Sequence, residues 1–131
     1  MIVSLCMTQP KILLVEDDVV LQKLYSDILT SAQYTVDTAA DGDIAFTKMM
    51  QGGWDLILLD MILPKTTGLE LVKKIKETPP AIPIKKIVFL TNLEKGKEID
   101  EATALGYSYL IKSNLNPDEF VNKVKSLLPQ I

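Results

Sequence analysis

The sequence predicts an α/β fold, a doubly wound five-stranded parallel sheet flanked by five helices. Five short runs rich in Val, Ile and Leu alternate with longer segments of helical period, an alternation typical of βα units around a parallel sheet. Two of these runs are continuously apolar, as expected of strands that helices cover on both faces. The length of 131 residues fits one domain.

The predicted strands occupy, in chain order, residues 11–15, 34–38, 55–59, 86–90 and 107–111. The third and fourth runs include Leu56-Ile-Leu-Leu59 and Ile87-Val-Phe-Leu90, which are apolar without interruption. Because such strands need cover on both faces, we place these two at the centre of the sheet.

The first helix is predicted from one apolar stripe after the first strand. Apolar residues recur there at helical spacing: Val20, Leu21, Leu24, Ile28 and Leu29. We expect this stripe to pack against the sheet. Asp18 precedes the stripe, at a position where acidic side chains commonly cap a helix.

The later helices carry signals at their first residues. Thr67-Gly-Leu-Glu70 is typical of a capping box and predicts the start of the third helix. Asn116-Pro-Asp-Glu119 favours the start of the fifth helix, whose apolar stripe includes Phe120 and Val124. The fourth helix, within residues 94–105, has few apolar anchors and is predicted to be the least stable.

The composition excludes several functions. The net charge of -3 and the pI near 4.9 leave no basic face, which argues against direct nucleic-acid binding. The chain has no histidine and a single cysteine, Cys6, which excludes an internal disulfide, a Cys/His zinc site and histidine-based catalysis. This composition suits a reducing cytoplasm.

The sequence divides into a flexible leader, residues 1–9, and one domain, residues 10–131. The apolar opening has no basic region and is too short for a signal peptide or a membrane span, so we expect no membrane association. We see no linker to a second domain and no internal repeat. The expectation is therefore a single cytoplasmic domain without an effector domain.

Polar residues follow the predicted strands where a ligand site is expected, beyond their carboxyl ends. They are Glu16, Asp17 and Asp18 after the first strand, Asp60 after the third, Thr91 after the fourth and Lys112 after the fifth. Carboxylates crowded to about 4 Å repel one another by about 4 kcal/mol per pair at an effective dielectric of about 20, so the cluster requires a cation. Oxygen ligands of this kind favour Mg²⁺.

Four motifs, in this order and spacing, resemble the receiver-domain family of response regulators. They are Ile12-Leu-Leu-Val-Glu-Asp-Asp18, the run Asp55-Leu-Ile-Leu-Leu-Asp60-Met-Ile-Leu-Pro64 with Gly68 following, Thr91, and Tyr109-Leu-Ile-Lys112. The likeness spans about residues 10 to 128 and implies a flavodoxin-like fold of strand order 2-1-3-4-5. It also implies phosphotransfer from a histidine kinase or a phosphotransfer protein, sometimes from a small phosphodonor.

The resemblance also implies roles for individual residues. Asp60 matches the phosphoacceptor, while Glu16 and Asp17 match the metal-binding acids. The metal ligands would be completed by Asp60 itself and the backbone carbonyl of Ile62. Lys112 would pair with the phosphoryl oxygens.

Two further positions match the switch of the family. Thr91 would move to hydrogen-bond the phosphoryl group, and Tyr109 matches the aromatic residue that turns inward as the threonine moves. The fourth helix, fifth strand and fifth helix would then form the face that an unknown downstream protein reads. Family analogy allows a monomer or a phosphorylation-dependent homodimer.

The sequence departs from the family pattern near the site. Asn92 replaces the usual small residue after the switch threonine. Ser113 replaces the usual proline after the lysine, and a cis bond before a non-proline residue costs about 2.5–4 kcal/mol, so a trans bond or a strained loop is expected. Ile62 and Leu93 cannot position water by hydrogen bonding, which predicts slow self-dephosphorylation.

Other functions remain open at this point. Asn92 and Ser113 allow a degenerate receiver that acts as a phosphorylation-independent docking module. An aspartate-nucleophile phosphatase of the haloacid dehalogenase type would need a second Asp at position 62, where the chain has Ile. A flavodoxin-like flavin binder would need a first loop that cradles phosphate, which three consecutive acids repel. We therefore expect a switch that promotes its own phosphorylation and slow dephosphorylation, and no conventional enzyme.

Overall fold

Five parallel strands form the sheet of the computed structural model, which describes residues 9–92, 96–112 and 116–128. In chain order the strands are β1 (Lys11–Val15), β2 (Thr35–Ala39), β3 (Leu56–Asp60), β4 (Ile87–Thr91) and β5 (Ser108–Ile111). They lie in the order β2-β1-β3-β4-β5, and every neighbouring pair is parallel. The predicted fold class and strand order are confirmed, although four strands begin one residue later than predicted.

Within the described ranges, five helices cover the two faces of the sheet. They are α1 (Val19–Ser31), α2 (Gly42–Gln51), α3 (Gly68–Glu77), α4 (Lys97–Ala104) and α5 (Pro117–Leu127). None of these helices has the length and apolarity to cross a bilayer. The strand alternation directs Ile57 and Leu59 into the core shared with α2, α3 and α4. Leu56 and Leu58 enter the opposite core, shared with α1 and α5.

Every residue of β3 is buried, so this strand is the centre of both cores. A short antiparallel hairpin, Ile62–Leu63 paired with Thr66–Thr67, follows it directly. The sequence analysis did not predict this hairpin. It carries the chain from the end of β3 to the start of α3 across the carboxyl edge of the sheet.

The buried face of α1 differs from the prediction. Val20 and Leu24 have 74% and 48% of their surface exposed, whereas Tyr25 and Leu29 are buried. The predicted residues that do pack against this core are Leu21, Ile28 and Leu29. Because apolar residues occupy adjacent rows of α1, helical spacing could not distinguish the row that faces the sheet. Tyr25 supplies the large apolar ring that completes the buried row.

Three helices begin at predicted caps. The side chains of Asp18, Thr67 and Asn116 each accept a hydrogen bond from the amide three residues later, at 3.0, 3.2 and 2.8 Å. The carboxylate of Glu70 accepts a hydrogen bond from the hydroxyl of Thr66. The predicted capping box is therefore not reciprocal. Thr67 caps the helix, while Glu70 bonds the hydroxyl of Thr66.

The α4 helix is the shortest of the five and is anchored by Ile99 and Ala102, which are buried. It begins after Gly96 with no side-chain cap. Both features favour low stability, which stays a prediction for this helix. The predictions made for the leader, for Leu93 and for Ser113 fall outside the described residues, apart from the last residue of the leader.

Candidate functional site

The carboxyl edge of the sheet brings together side chains from four strands. Glu16 and Asp17 follow β1, and Asp60 is the last residue of β3. Thr91 is the last residue of β4, and Lys112 follows β5. Parallel strands end at the same edge, so residues far apart in the sequence meet there.

Backbone hydrogen bonds fix the strand ends that carry these side chains. The amide of Glu16 donates to the carbonyl of Ala39 at 3.0 Å, and the amide of Met61 donates to the carbonyl of Leu90 at 2.9 Å. Both bonds continue the sheet beyond β1 and β3. The side chains of Glu16 and Asp60 therefore extend from hydrogen-bonded backbone at the edge of the sheet.

Three carboxylates form a cluster that suits a hard cation. One oxygen each from Glu16, Asp17 and Asp60 lies within 4.8 Å of the others. Glu16 and Asp60 are buried, whereas Asp17 is exposed and borders two cavities. The cluster combines inner ligands with a side open to water, an arrangement compatible with Mg²⁺, which retains several water ligands in proteins.

Lys112 lies buried between two of these acids. Its Nζ is 2.9 Å from Oδ2 of Asp60, to which it donates a hydrogen bond, and 2.5 Å from Oε1 of Glu16. Burial alone lowers the pKa of an ammonium, but the contacts with Glu16 and Asp60 outweigh it and raise the pKa of Lys112. Lys112 therefore keeps its charge throughout the physiological pH range.

Glu16 provides the test of whether a metal fits. Its Oε2 accepts a hydrogen bond from the amide of Asp18 at 3.1 Å. Its buried Oε1 contacts the Lys112 ammonium and has no other polar partner among the described residues. Burial raises the pKa of Glu16 despite Lys112 and the amide of Asp18, which lower it. The three carboxylates and one ammonium leave a formal charge of -2, which a divalent cation would neutralise.

Three other residues were predicted for the site: Thr91, Ile62 and Tyr109. The hydroxyl-bearing Thr91 is buried at the end of β4, beside Ile111 of β5. The amide of Ile62 donates to Oδ1 of Asp60 at 3.3 Å, and its side chain is 58% exposed. Tyr109 is half-buried on β5 and packs against the core on the α2, α3 and α4 side. Thr91 and Ile62 line the cavity that holds the carboxylates, whereas Tyr109 does not.

An open cavity of about 390 Å³ contains the cluster. Its lining includes six of the predicted residues, Glu16, Asp17, Asp60, Ile62, Thr91 and Lys112, together with Asp18, Leu21, Met61 and Asn92. Tyr109 is not among these lining residues. Asp18 was predicted mainly as a helix cap, although it follows the first strand with Glu16 and Asp17, and Leu21 was predicted only as a core residue. Both line the cavity because the first turn of α1 rises beside it.

A larger cavity of about 470 Å³ lies on the other side of Asp17. Its polar lining includes Asp41, Lys65, Glu70 and Lys74. These residues are on the surface ends of helices and on the hairpin turn. The smaller cavity is the better candidate site, because it alone of the two contains the buried Asp60 and Lys112.

The fold and this cavity define a class of protein, the doubly wound α/β domains with a carboxylate cluster and a buried lysine at the carboxyl edge of the sheet. Within that class, a family model for the response regulator receiver domain matches residues 12–125. The chain belongs to this family, the receiver domains of two-component response regulators. Aspartyl phosphorylation and Mg²⁺ are general features of the family.

Individual relatives agree with this membership. The transcriptional regulatory protein ResD of Bacillus subtilis (strain 168) is 34% identical over 120 residues, covering 92% of this chain and 48% of that protein. The chain spans half the length, or less, of ResD and of two other curated relatives that it matches.

Solved structures agree as well. The chemotaxis response regulator CheY4 of Vibrio cholerae superposes with a TM-score of 0.81 at 30% identity, covering 92% of this chain and 100% of that one. The response regulator TrrA of Thermotoga maritima, in complex with Mg²⁺ and BeF, gives a TM-score of 0.75 at 32% identity, with coverages of 92% and 100%.

Proposed function

We propose that this chain is a phosphorylation-controlled signalling switch of a two-component or phosphorelay system, with Asp60 as the phosphoacceptor. The observation that carries the proposal is the convergence of three carboxylates and the Lys112 ammonium on one open cavity. The phosphodonor is a histidine kinase or a phosphotransfer protein, the partners with which receiver domains interact.

The proposed metal is Mg²⁺, held by the carboxylates of Glu16, Asp17 and Asp60 and by the backbone carbonyl of Ile62. When bound, the ion supplies positive charge that neutralises the oxygens of the transferred group. Oε1 of Glu16 supports this ligand set, because its one polar contact among the described residues is the Lys112 ammonium.

In the proposed reaction, a carboxylate oxygen of Asp60 attacks the phosphorus of a phosphohistidine. The new P–O bond forms as the P–N bond breaks, and the donor imidazole keeps the electron pair and takes up a proton. Lys112 is already 2.9 Å from Oδ2 of Asp60, so its ammonium is placed to neutralise charge on the phosphoryl oxygens. The product is an acyl phosphate, which water later hydrolyses.

The phosphoryl group would act by shifting an existing equilibrium between two conformations. Moving such an equilibrium from about 1:99 to about 99:1 requires about 5.5 kcal/mol of preferential stabilisation. A hydrogen bond to a charged group contributes about 1.5–3 kcal/mol, so new bonds from Thr91 and Lys112 supply a large part of this. Tyr109 lies on the neighbouring strand, half-buried, and is the proposed reporter of the shift.

The proposed output is a protein contact on the face formed by α4, β5 and α5. The short α4 carries few core anchors and thus offers the least resistance to rearrangement. The same face would support a phosphorylation-dependent homodimer of an otherwise monomeric chain. We place this activity in the cytoplasm and within residues 10–131 as one receiver domain.

An exposed apolar strip on α1 is the proposed contact for the phosphodonor. Val19, Val20 and Leu24 are 79%, 74% and 48% exposed. The strip begins directly after Asp18, which lines the cavity, so a protein that presents a phosphohistidine to Asp60 would cover it. Burying apolar side chains of this size contributes about 1.5–3 kcal/mol each when fully covered.

Intact-mass measurement after incubation with acetyl phosphate and MgCl₂ tests the acceptor. We expect wild type to gain one phosphoryl group only with Mg²⁺, Asp60→Asn to gain none, and the cavity-lining control Asp18→Asn to behave as wild type. Failure of wild type with both acetyl phosphate and a competent histidine kinase would favour the docking module instead.

Phosphotransfer from a histidine kinase tests the donor contact. Val20→Lys and Leu24→Lys should slow transfer from the kinase but leave labelling by acetyl phosphate unchanged. Ile82→Lys, which alters a side chain that is 58% exposed in the loop before β4, is the matched control. Equal transfer rates for all three variants would remove α1 from the donor interface.

A further inference from the structure

We infer that Glu16 holds Lys112 in the metal-free protein, so that a divalent cation must displace this ammonium before Glu16 becomes a ligand. The inference rests on the proposed function and adds a competition between Lys112 and Mg²⁺ for one carboxylate. Glu16 is then a positioning residue for Lys112 as well as a metal ligand.

The contacts around Glu16 carry this inference. Both carboxylate oxygens are engaged, Oε1 by the ammonium of Lys112 at 2.5 Å and Oε2 by the amide of Asp18 at 3.1 Å. The side chains of Glu16 and Lys112 are 1% and 5% exposed, so little water screens their attraction. Since Oε2 accepts a hydrogen bond from the backbone, Oε1 is the oxygen that a metal would bind. Lys112 lies against this oxygen in the metal-free protein.

Lys112 has a second partner besides Glu16. It donates a hydrogen bond to Asp60 at 2.9 Å, in addition to its contact with Oε1 of Glu16. A divalent cation can therefore take Oε1 from Lys112 without breaking that hydrogen bond. Lys112 then remains beside Asp60, where the phosphoryl group arrives.

The length of the side chain at position 16 decides whether its carboxylate reaches Lys112. Replacing Glu16 by Asp withdraws the carboxylate by one carbon–carbon bond, about 1.5 Å. The Lys112 contact is then lost, while an acid still faces the cavity and can bind the ion through water. Asp at position 16 should therefore bind Mg²⁺ more tightly than Glu. If the shorter side chain only failed to reach the ion, binding would weaken instead.

Isothermal titration of the unphosphorylated chain with MgCl₂ tests the competition. Four proteins are compared: wild type, Glu16→Asp, Lys112→Met and the double variant. We expect Glu16→Asp to tighten Mg²⁺ binding by about fivefold or more in the presence of Lys112. In the Lys112→Met background, the same change should leave binding unchanged or weaker. Lys23→Met removes an exposed ammonium paired with Asp27 and controls for net charge.

The outcomes separate this inference from the proposed function. Unchanged or weaker binding by Glu16→Asp, or equal tightening in both backgrounds, would overturn the competition while leaving a Mg²⁺ site in place. No Mg²⁺ binding by any of the proteins would overturn both. Thermal unfolding of each variant verifies that it is folded, and the ¹⁵N resonance of the Lys112 ammonium should shift on Mg²⁺ addition in wild type.

Discussion

Gly68 lies so close to β3, the strand that ends at Asp60, that a single methyl group should disturb it. A Cβ at this position would lie 2.7 Å from the backbone oxygen of Asp60, 3.0 Å from a ring carbon of Phe89 and 3.2 Å from Cγ of Leu59. The closest of these atoms is backbone and cannot rotate away. Gly68→Ala therefore requires the end of β3 or the start of α3 to move.

The cost follows from overpacking. Inserting a methylene-sized group into a packed site costs about 1–3 kcal/mol, and each kcal/mol lowers the Tm of a domain of this size by about 4 °C. Gly68→Ala should thus lower the Tm by about 4–12 °C. Because Asp60 is the residue displaced, the rate of labelling by acetyl phosphate should also fall, by up to about 100-fold for a shift near 1 Å.

Gly42 offers a matched control at the first residue of α2. A Cβ there would meet the Cγ2 of Thr66, which is a side-chain atom. The double variant Gly42→Ala with Thr66→Ser removes the obstacle and keeps the hydroxyl that donates to Glu70. Chemical denaturation should therefore give this variant a free energy of unfolding equal to that of wild type or higher. A Gly68→Ala protein as stable and as readily labelled as wild type would refute the reasoning.

Three further predictions concern stability, lifetime and spectroscopy. Although burial acts to raise the pKa of Asp55, the amide of Lys11 and the ammonium of Lys85 outweigh it and lower this pKa. The carboxylate therefore stabilises the fold above its unfolded pKa and loses this effect as pH falls through the lowered folded value. Asp55→Asn should lower the free energy of unfolding by about 1 kcal/mol at neutral pH, or by less because Lys85 is exposed. Urea denaturation in acid should show no difference between this variant and wild type. Ile62→Gln should shorten the lifetime of the phosphoryl group, measured by loss of ³²P, because an amide side chain can position a water molecule. A lifetime of seconds in wild type would contradict the proposal that the apolar side chain of Ile62 slows hydrolysis. Trp54 is 1% exposed at the opposite end of β3, so its emission should not change during a MgCl₂ titration that saturates the site.

The site could be anticipated because topology alone brings strand ends together. Lys112 and Asp60 are 52 residues apart in the sequence. Their proximity nevertheless follows from the rule that parallel strands end at one edge of the sheet. Alternation and apolar content were sufficient for the strands, because each is covered on two faces. The bounds of β3 and β4 shifted by one residue, which placed Asp60 and Thr91 inside their strands.

Side-chain detail could not be predicted in this way. The face of α1 depends on which apolar row meets the sheet, and the sequence offered adjacent rows that include Val20 and Tyr25. The contact between Glu16 and Lys112 depends on rotamers and on burial that only the packed structure determines. The hairpin after β3 has too few residues to produce a periodic signal.

The central claim is that Asp60 carries the phosphoryl group. Borohydride reduction of the acetyl phosphate-treated protein converts an aspartyl phosphate to homoserine, and peptide mapping then locates the modified residue. The account predicts homoserine at position 60 alone, dependent on Mg²⁺. Homoserine at Asp17 or Asp18, with position 60 unmodified, would contradict it.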